Sequence, residues 1–589
     1  MRRDPPPSTA PPAPRSAAPR ALLLALTLLV PVLLLGGAEL ALRVAGAGGR
    51  EPLFIAVPDA PGYLQPNPSV VQRFFPNPAQ APRVAIDTTY FRAAKPANAV
   101  RLVVQGESSA AGFPYGRFAG VGGLLQQRLQ RGLPDRDVEV ISTAMSAVTS
   151  YVLLDFVDEI IAQHPDAVII YTGHNEYLGI GGVGSSYASA RSPRLARAVL
   201  ALRHLHLYRA LERLLSPARP SDPRAVDDGG TLMSRVAAER AIPLGSALYA
   251  QGRAQFESNL DRILARYRAA GIPVFVGTLA SNERDQPPFA SGTGSAADPP
   301  AFDRYRQAQA LEAAGRYAEA RAEYLAAKDR DELRFRAPEA FNALLRASAA
   351  RHGATLVDVE GALAAASRHG IIGSELMLEH LHPNLDGYFE LAGAFYEPLR
   401  ARLQAQAVDA PTARRELPVT EIERIAGEMR IALLRHDWPF VPVRQPTTFA
   451  APATAEEQIA QEWFAGRIAW AEAMNRAFAL YEQRADGANA ARVAINVAEA
   501  FVQRSEAQWT AGRVALRNGD PARALPYLRR AVALDPATPD YPLVYAEAEF
   551  KTGRIAAAAA TLAEMQRRFP GDARARYWAG IVKAELARH

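Results

Sequence analysis

The chain of 589 residues carries 67 Lys and Arg against 61 Asp and Glu, a net +6 spread thinly, with 49% hydrophobic residues and no cysteine. Such a length buries full-sized cores and admits roughly three or four domains. The small charge surplus makes no electrostatic case for nucleic acid, and the absence of cysteine excludes disulfide scaffolds, thiolate metal sites, Cys nucleophiles and a lipidated N-terminal Cys.

Residues 1–20 hold seven prolines and set Arg2, Arg3, Arg15 and Arg20 against Asp4, the composition of an unpacked basic tail. Ala21 to Ala38 follows without a charge, interrupted only by Thr27 and Pro31. At about 1.5 Å per residue this run is about long enough to cross a bilayer. The basic side stays in the cytoplasm, so the bulk of the chain is expected in the periplasm of a bacterium, held by a single-pass inner-membrane anchor over 21–42. A cleaved signal peptide is the rival reading, because Ala45-Gly46-Ala47 has the small-x-small form of a cleavage site. The length of the run favours the uncleaved anchor. Residues 43–97 are read as a linker or N-terminal extension.

From Val100 onward short apolar runs alternate with helical stretches, the pattern of an α/β domain with a parallel sheet. The strands are expected at Arg101–Gln105, Val138–Thr143, Ala167–Thr172, Pro273–Thr278 and Thr355–Val359. Ligands bind at the carboxyl ends of such strands, which puts Gly106-Glu107-Ser108-Ser109, Ala144-Met145-Ser146, Gly173-His174-Asn175-Glu176 and Leu279-Ala280-Ser281-Asn282 at the cleft. An insertion from Ser185 to Leu215 interleaves arginines with leucines, suiting a helix on anionic lipid, a lid, or an ordinary packed helix. Residues 216–240 and 284–300 read as loops. Gly315, Tyr317, Ala320 and Tyr324 suggest one isolated helical pair within this region.

Residues 403–460 are read as a linker and 461–589 as all-α repeats. Gly519, Ala524 and Pro536 recur as Gly553, Ala558 and Pro570, each 34 residues on, the tetratricopeptide period. Residues 571–588 suit a capping helix, while 455–508 are helical without a clear period. Such repeats offer a surface for a protein partner.

The chemistry must then run on Ser, His and carboxylates. Ser108 follows a strand and sits where a helix N-terminus faces the cleft. A bare serine needs an imidazole base, and the base needs an acid to fix its tautomer. Glu379-His380-Leu381-His382-Pro383 supplies both on one loop, with Glu379 three residues before His382. The backbone N–H of Ser108, the N–H of Ala144 and the amide of Asn175 are candidate oxyanion donors. His-x-His also raises zinc, but only His174 stands as an obvious further ligand and not at metal spacing. No metal and no cofactor are expected.

Taken together these residues resemble the SGNH/GDSL hydrolase family. Gly106-Glu107-Ser108 with Gly112 is similar to its first block, Ala144 stands where the second has Gly, Gly173-His174-Asn175-Glu176 is similar to the third, and Glu379 to His382 to the last. All three acidic positions hold Glu where the family has Asp. The resemblance covers about residues 98–402 and implies a flavodoxin-like sheet, a triad of Ser108, His382 and Glu379, and an oxyanion hole of Ser108, Ala144 and Asn175. With the anchor and the repeats, the chain is also similar, more loosely, to periplasmic proteins that transfer acyl groups to exopolysaccharides. The implied activity is an esterase acting on acyl esters of a carbohydrate or lipid. An exopolysaccharide O-acyltransferase using the same triad, and a non-catalytic envelope scaffold, are the alternatives. Arg334 and Arg336, before the last strand, are candidates for binding an anionic substrate group.

Overall fold

The computed structural model describes residues 18–75, 81–186, 193–215, 232–238, 240–295 and 298–588. The basic tail over 1–17 and most of the loop expected over 216–240 lie outside the described residues.

Ala18–Val44 is one helix containing Pro31. Its segment Leu26–Val44 is apolar and long enough to cross a membrane, and none of it is buried against the rest of the chain. Near its end Glu39 accepts hydrogen bonds from the backbone N–H groups of His206 (3.1 Å) and Leu207 (2.8 Å), which cap the helix His206–Leu215 of the insertion. Arg203 and Arg209 of the insertion turn inward, Arg203 onto Glu212 at 2.7 Å and Arg209 onto the carbonyl of Arg73 at 3.2 Å.

The stretch read as a linker or N-terminal extension over 43–97 is a structured extension. Strands β1 (Phe54–Ala56), β2 (Tyr63–Pro66) and β3 (Phe91–Arg92) form a small antiparallel sheet. Leu53, Val70, Phe74 and Phe91 join the same apolar core as the main sheet. Buried Arg73 holds this unit to the helix Ser150–Ile161 through Asp155 and Glu159, both at 2.7 Å. The strands are too short for alternation to be visible in sequence.

The main sheet comprises β4 (Ala99–Gly106), β5 (Asp137–Ser142), β6 (Ala167–Tyr171), β7 (Val274–Gly277) and β8 (Thr355–Val357), in the order β5-β4-β6-β7-β8, all parallel. Each expected strand is present. The order is that of the flavodoxin-like doubly wound sheet, whose switch point opens a crevice at the carboxyl ends of the central strands. Every residue of β4 and β6 is buried, as continuous apolar runs with helices on both faces require. One charge breaks the run: Arg101, in the middle of β4, reaches Glu139 (2.9 Å) and lies over Phe91 of the small sheet.

Helices Ala301–Ala313 and Tyr317–Asp329 form the isolated pair, turning at Gly315, whose φ is 74°. At the other end of the chain, helix pairs turn at Gly519 and Gly553 (φ 79° and 77°), and Ala524 and Ala558 are fully buried where the helices cross. The period extends one repeat further upstream than expected. Ala485 takes the left-handed turn (φ 53°) one period before Gly519, and buried Ala490 precedes Ala524 likewise. Alanine in place of the turn glycine hid this repeat. The segment 403–460 also corrects the expectation of a linker, since Glu421–Arg435 and Ala455–Phe464 are helices and Ile422 and Ile459 share the core of the array. Buried Arg530 fixes the array to the main sheet's edge, donating to Gln130 (2.6 Å) and pairing with Asp137 (3.4 Å), and it also pairs with Glu499 of the array (3.2 Å).

Candidate active site

β4 ends against β6 so closely that a Cβ on Gly106 would lie 2.3 Å from the carbonyl of Tyr171. Only glycine permits that approach. The chain then turns through Glu107 into the four-residue helix Ser108–Ala111. The N–H of Ser108 lies in the first turn, ahead of the helical hydrogen-bond ladder.

Glu107 points away from the cleft into the loop after β6. Its carboxylate accepts from the Thr172 hydroxyl (2.8 Å), the Gly173 N–H (2.8 Å) and the Asn175 N–H (3.2 Å). Full burial pushes its pKa up to about 8 against those hydrogen bonds. Glu176 is equally structural. It accepts from the Ser150 N–H (2.9 Å), the Ser150 hydroxyl (2.7 Å) and the Gln255 amide (2.7 Å), and burial raises its pKa to about 7. The two carboxylates thereby fix the loop that presents Asn175. His174 is buried within the same loop, accepts from the Ala337 N–H at 3.2 Å, and is held down to about pKa 3 by its burial.

The loop after Met377 completes the site. The Ser108 hydroxyl lies 2.7 Å from His382 Nε2, and His382 Nδ1 faces Glu379. The extra methylene of Glu379, compared with Asp, lets its carboxylate curl back over its own loop and accept from the N–H groups of His380 (2.6 Å) and His382 (2.9 Å). The second carboxylate oxygen faces Nδ1 of His380, a partner that the sequence motif contains but gave no role. His380 is packed among Phe289, Phe335 and Phe440. Glu379, His380 and His382 bring their ligand atoms within 4.8 Å of one another. In this arrangement both Nδ1 atoms are turned to the carboxylate and the free ring edge of His382 to Ser108, the disposition of a hydrogen-bonded base.

A narrow cavity of about 110 Å³ opens beside Ser108, with Asn175 and His382 near the reacting centre and Phe113, Met233, Phe335 and Leu434 in its apolar wall. Ala144, after β5, lines a neighbouring cleft together with Phe113 and Ser146, its N–H 3.4 Å from the Ser142 hydroxyl. Ser108, His382, Glu379 and Asn175 thus come together.

Arg334 and Arg336 do not join them, which corrects the substrate-binding expectation. Both are buried. Arg334 donates to the carbonyls of Ile242 (2.7 Å) and Asp329 (3.1 Å), beneath the Tyr249 ring. Arg336 donates to the carbonyls of Asn282 and Gln286 (both 2.9 Å) and pairs with Asp331 at 3.1 Å. A buried guanidinium must satisfy its donors locally, and here loop carbonyls take the donors named, while Nη2 of Arg334 and Nε of Arg336 stay unpaired. Arg pairs before a strand look alike in sequence whether they face a cleft or a loop.

Residues 104–388 match the family model described as GDSL-like lipase/acylhydrolase. The chain carries a GDSL-like acylhydrolase domain. Residues 476–542, 510–573 and 543–585 match a tetratricopeptide-repeat model. Among solved structures, the acetylxylan esterase Axe2 from Geobacillus stearothermophilus is similar at 13% identity, covering 53% of this chain and 97% of its own, with a TM-score of 0.27. A lipase/acylhydrolase from Enterococcus faecalis is similar at 14% identity, covering 53% and 100%, also at 0.27. LAE5, an alpha/beta hydrolase from the metagenome of Lake Arreo, Spain, is similar at 18% identity, covering 52% and 97%, at 0.26. No curated protein matches the chain.

Proposed function

We propose that the chain is a serine esterase that removes acyl groups from a carbohydrate or lipid ester, anchored in a bacterial inner membrane with its hydrolase domain and repeats in the periplasm. The observation that supports this most directly is the continuous relay from Glu379 through His382 to Ser108 at the switch point of the sheet. The anchor is supported by the apolar helix Leu26–Val44 behind a basic tail.

In this mechanism the Ser108 oxygen attacks the ester carbonyl carbon while His382 Nε2 takes the hydroxyl proton. Glu379 holds Nδ1–H in place and stabilises the imidazolium. The carbonyl oxygen gains negative charge and is met by the N–H groups of Ser108 and Ala144 and the amide of Asn175. Collapse of the tetrahedral intermediate breaks the bond to the alcohol oxygen, which leaves with the proton from His382. Water then attacks the acyl-enzyme by the same route, releasing the acid and restoring Ser108. The narrow apolar cavity suits the acyl group.

Ser108→Ala is expected to abolish hydrolysis of p-nitrophenyl acetate and labelling by a fluorophosphonate, with the label on the parent protein mapped to Ser108 by mass spectrometry. Full turnover by Ser108→Ala, or a label elsewhere, refutes the assignment.

A further inference from the structure

Beside the narrow acyl cavity lies a larger cleft of about 660 Å³, walled on one side by the hydrolase domain and on the other by the first helices of the C-terminal array. Phe113 and Ser146 line both spaces, and Ala144 lines the larger one. The cleft therefore adjoins the cavity beside Ser108 at Phe113 and Ser146.

Its wall combines aromatic rings with charge. The array contributes Trp463, Trp470 and Phe501, and the hydrolase side adds Tyr90. Trp470 stacks on Phe118 with ring centroids 5.8 Å apart and donates to Glu423 at 3.0 Å. Arg430 lies 4.8 Å over the Trp463 ring and donates to the carbonyl of Pro114 at 2.7 Å, bridging the two domains. These contacts fix both indoles in the wall. Asp87, Glu423, Arg117 and Arg430 also line the cleft, two acids against two bases.

We infer that this interdomain cleft binds a neutral oligosaccharide carrying the ester, with Trp463 and Trp470 of the helical array as specificity-determining residues. The inference rests on the esterase reading of Ser108 and selects its carbohydrate branch. Three observations carry it. The volume lies within the range of small-molecule sites, about 300–1,000 Å³. Aromatic faces beside hydrogen-bonding groups match a pyranose, which has an apolar C–H face and a polar edge, whereas a lipid tail would cover the cleft's four charged groups without offering them a hydrogen bond. The balance of two carboxylates and two guanidiniums favours a neutral chain over a polyanionic one. The array is then part of the enzyme's binding wall, which explains why Arg530 and its partners attach it firmly to the sheet edge.

The test uses the full chain in detergent. Chemically acetylated xylo-, manno- and gluco-oligosaccharides are compared with acetylated monosaccharides and p-nitrophenyl acetate, in the parent protein, Trp463→Ala and Trp463→Ala/Trp470→Ala. The double variant is expected to lose about tenfold more in kcat/KM on an oligosaccharide ester than on p-nitrophenyl acetate, a difference of about 1.4 kcal/mol in transition-state binding. Trp463→Ala alone shows a smaller loss in the same direction and keeps the Trp470–Glu423 contact intact. Equal losses on all esters, or no preference of the parent for oligosaccharide over monosaccharide esters across the set, overturn the inference. So does a selective loss on phospholipid vesicles instead. Calorimetric binding of deacetylated oligosaccharides to the parent and to Trp463→Ala separates the two proposals. Trp463-dependent binding without turnover sinks the esterase reading alone, while turnover of p-nitrophenyl acetate without Trp463-dependent binding sinks the cleft alone.

Discussion

Replacing Glu107 by Asp restores the residue that the GDSL pattern has at this position, and the structure predicts that it harms the protein. The carboxylate would retreat by one carbon–carbon bond, about 1.5 Å. Its three accepted hydrogen bonds, now 2.8, 2.8 and 3.2 Å, would all pass the limit of about 3.5 Å. The Thr172 hydroxyl can rotate to another partner, but the Gly173 and Asn175 N–H groups are fixed in a buried loop. Two unpaired buried donors cost about 1–3 kcal/mol each, and the lost methylene adds about 0.8 kcal/mol. Movement of β4 and the loop recovers part of this, leaving an expected loss of at least about 2 kcal/mol. Fluorophosphonate labelling of Ser108 along a urea titration reports the hydrolase domain separately from the array. At a slope near 2 kcal/mol per molar urea, the midpoint should fall by about 1 M. The labelling rate without urea should fall as well, because Asn175 loses its anchor. A Glu107→Asp protein with the parent's midpoint and rate refutes the argument that Glu107 positions this loop.

Two further outcomes follow from the geometry. Burial holds the His382 imidazole below its ordinary value of 6.5. In the proposed mechanism the neutral ring is the base, so kcat/KM on p-nitrophenyl acetate rises with pH through the folded pKa, and its acid limb should have a midpoint below 6.5; a midpoint at or above that value contradicts the reading. Arg530→Met keeps the apolar stem but leaves the buried carboxylate of Glu499 without the cation it pairs with, while Asp137 keeps Arg529 at 2.7 Å, at about 3–5 kcal/mol for such a broken pair. Limited proteolysis should then cut faster within the irregular segment 436–454 of the array, which packs on the hydrolase domain through Trp438 and Phe440, and a cleavage rate equal to the parent's would count against the coupling.

Much of the site was legible because its chemistry is local. Ser108 lies at a strand end marked by Gly106, and Glu379 and His382 share one turn, so a short span of sequence holds each part of the relay. The five strands were legible as apolar runs bounded by turn residues, and the repeat by glycines and alanines at a fixed period. Where Ala485 replaces the turn glycine, the same repeat became invisible although the backbone conformation persists.

Side-chain destinations across the chain were a different matter. The sequence alone determined the residue types of the relay, the parallel sheet and the apolar N-terminal run, because propensity, periodicity and short-range spacing act within a few residues. Only the tertiary structure decided that Arg334 and Arg336 are spent on buried loop carbonyls, that Glu107 and Glu176 brace the Asn175 loop, and that residues 43–97 fold onto the sheet. It also decided that Trp463 and Trp470 face the same cleft as Phe113, more than 300 residues earlier in the chain. Burial and hydrogen-bond satisfaction are settled by which distant segments meet, and that information resides in the packed chain and in no single stretch of it.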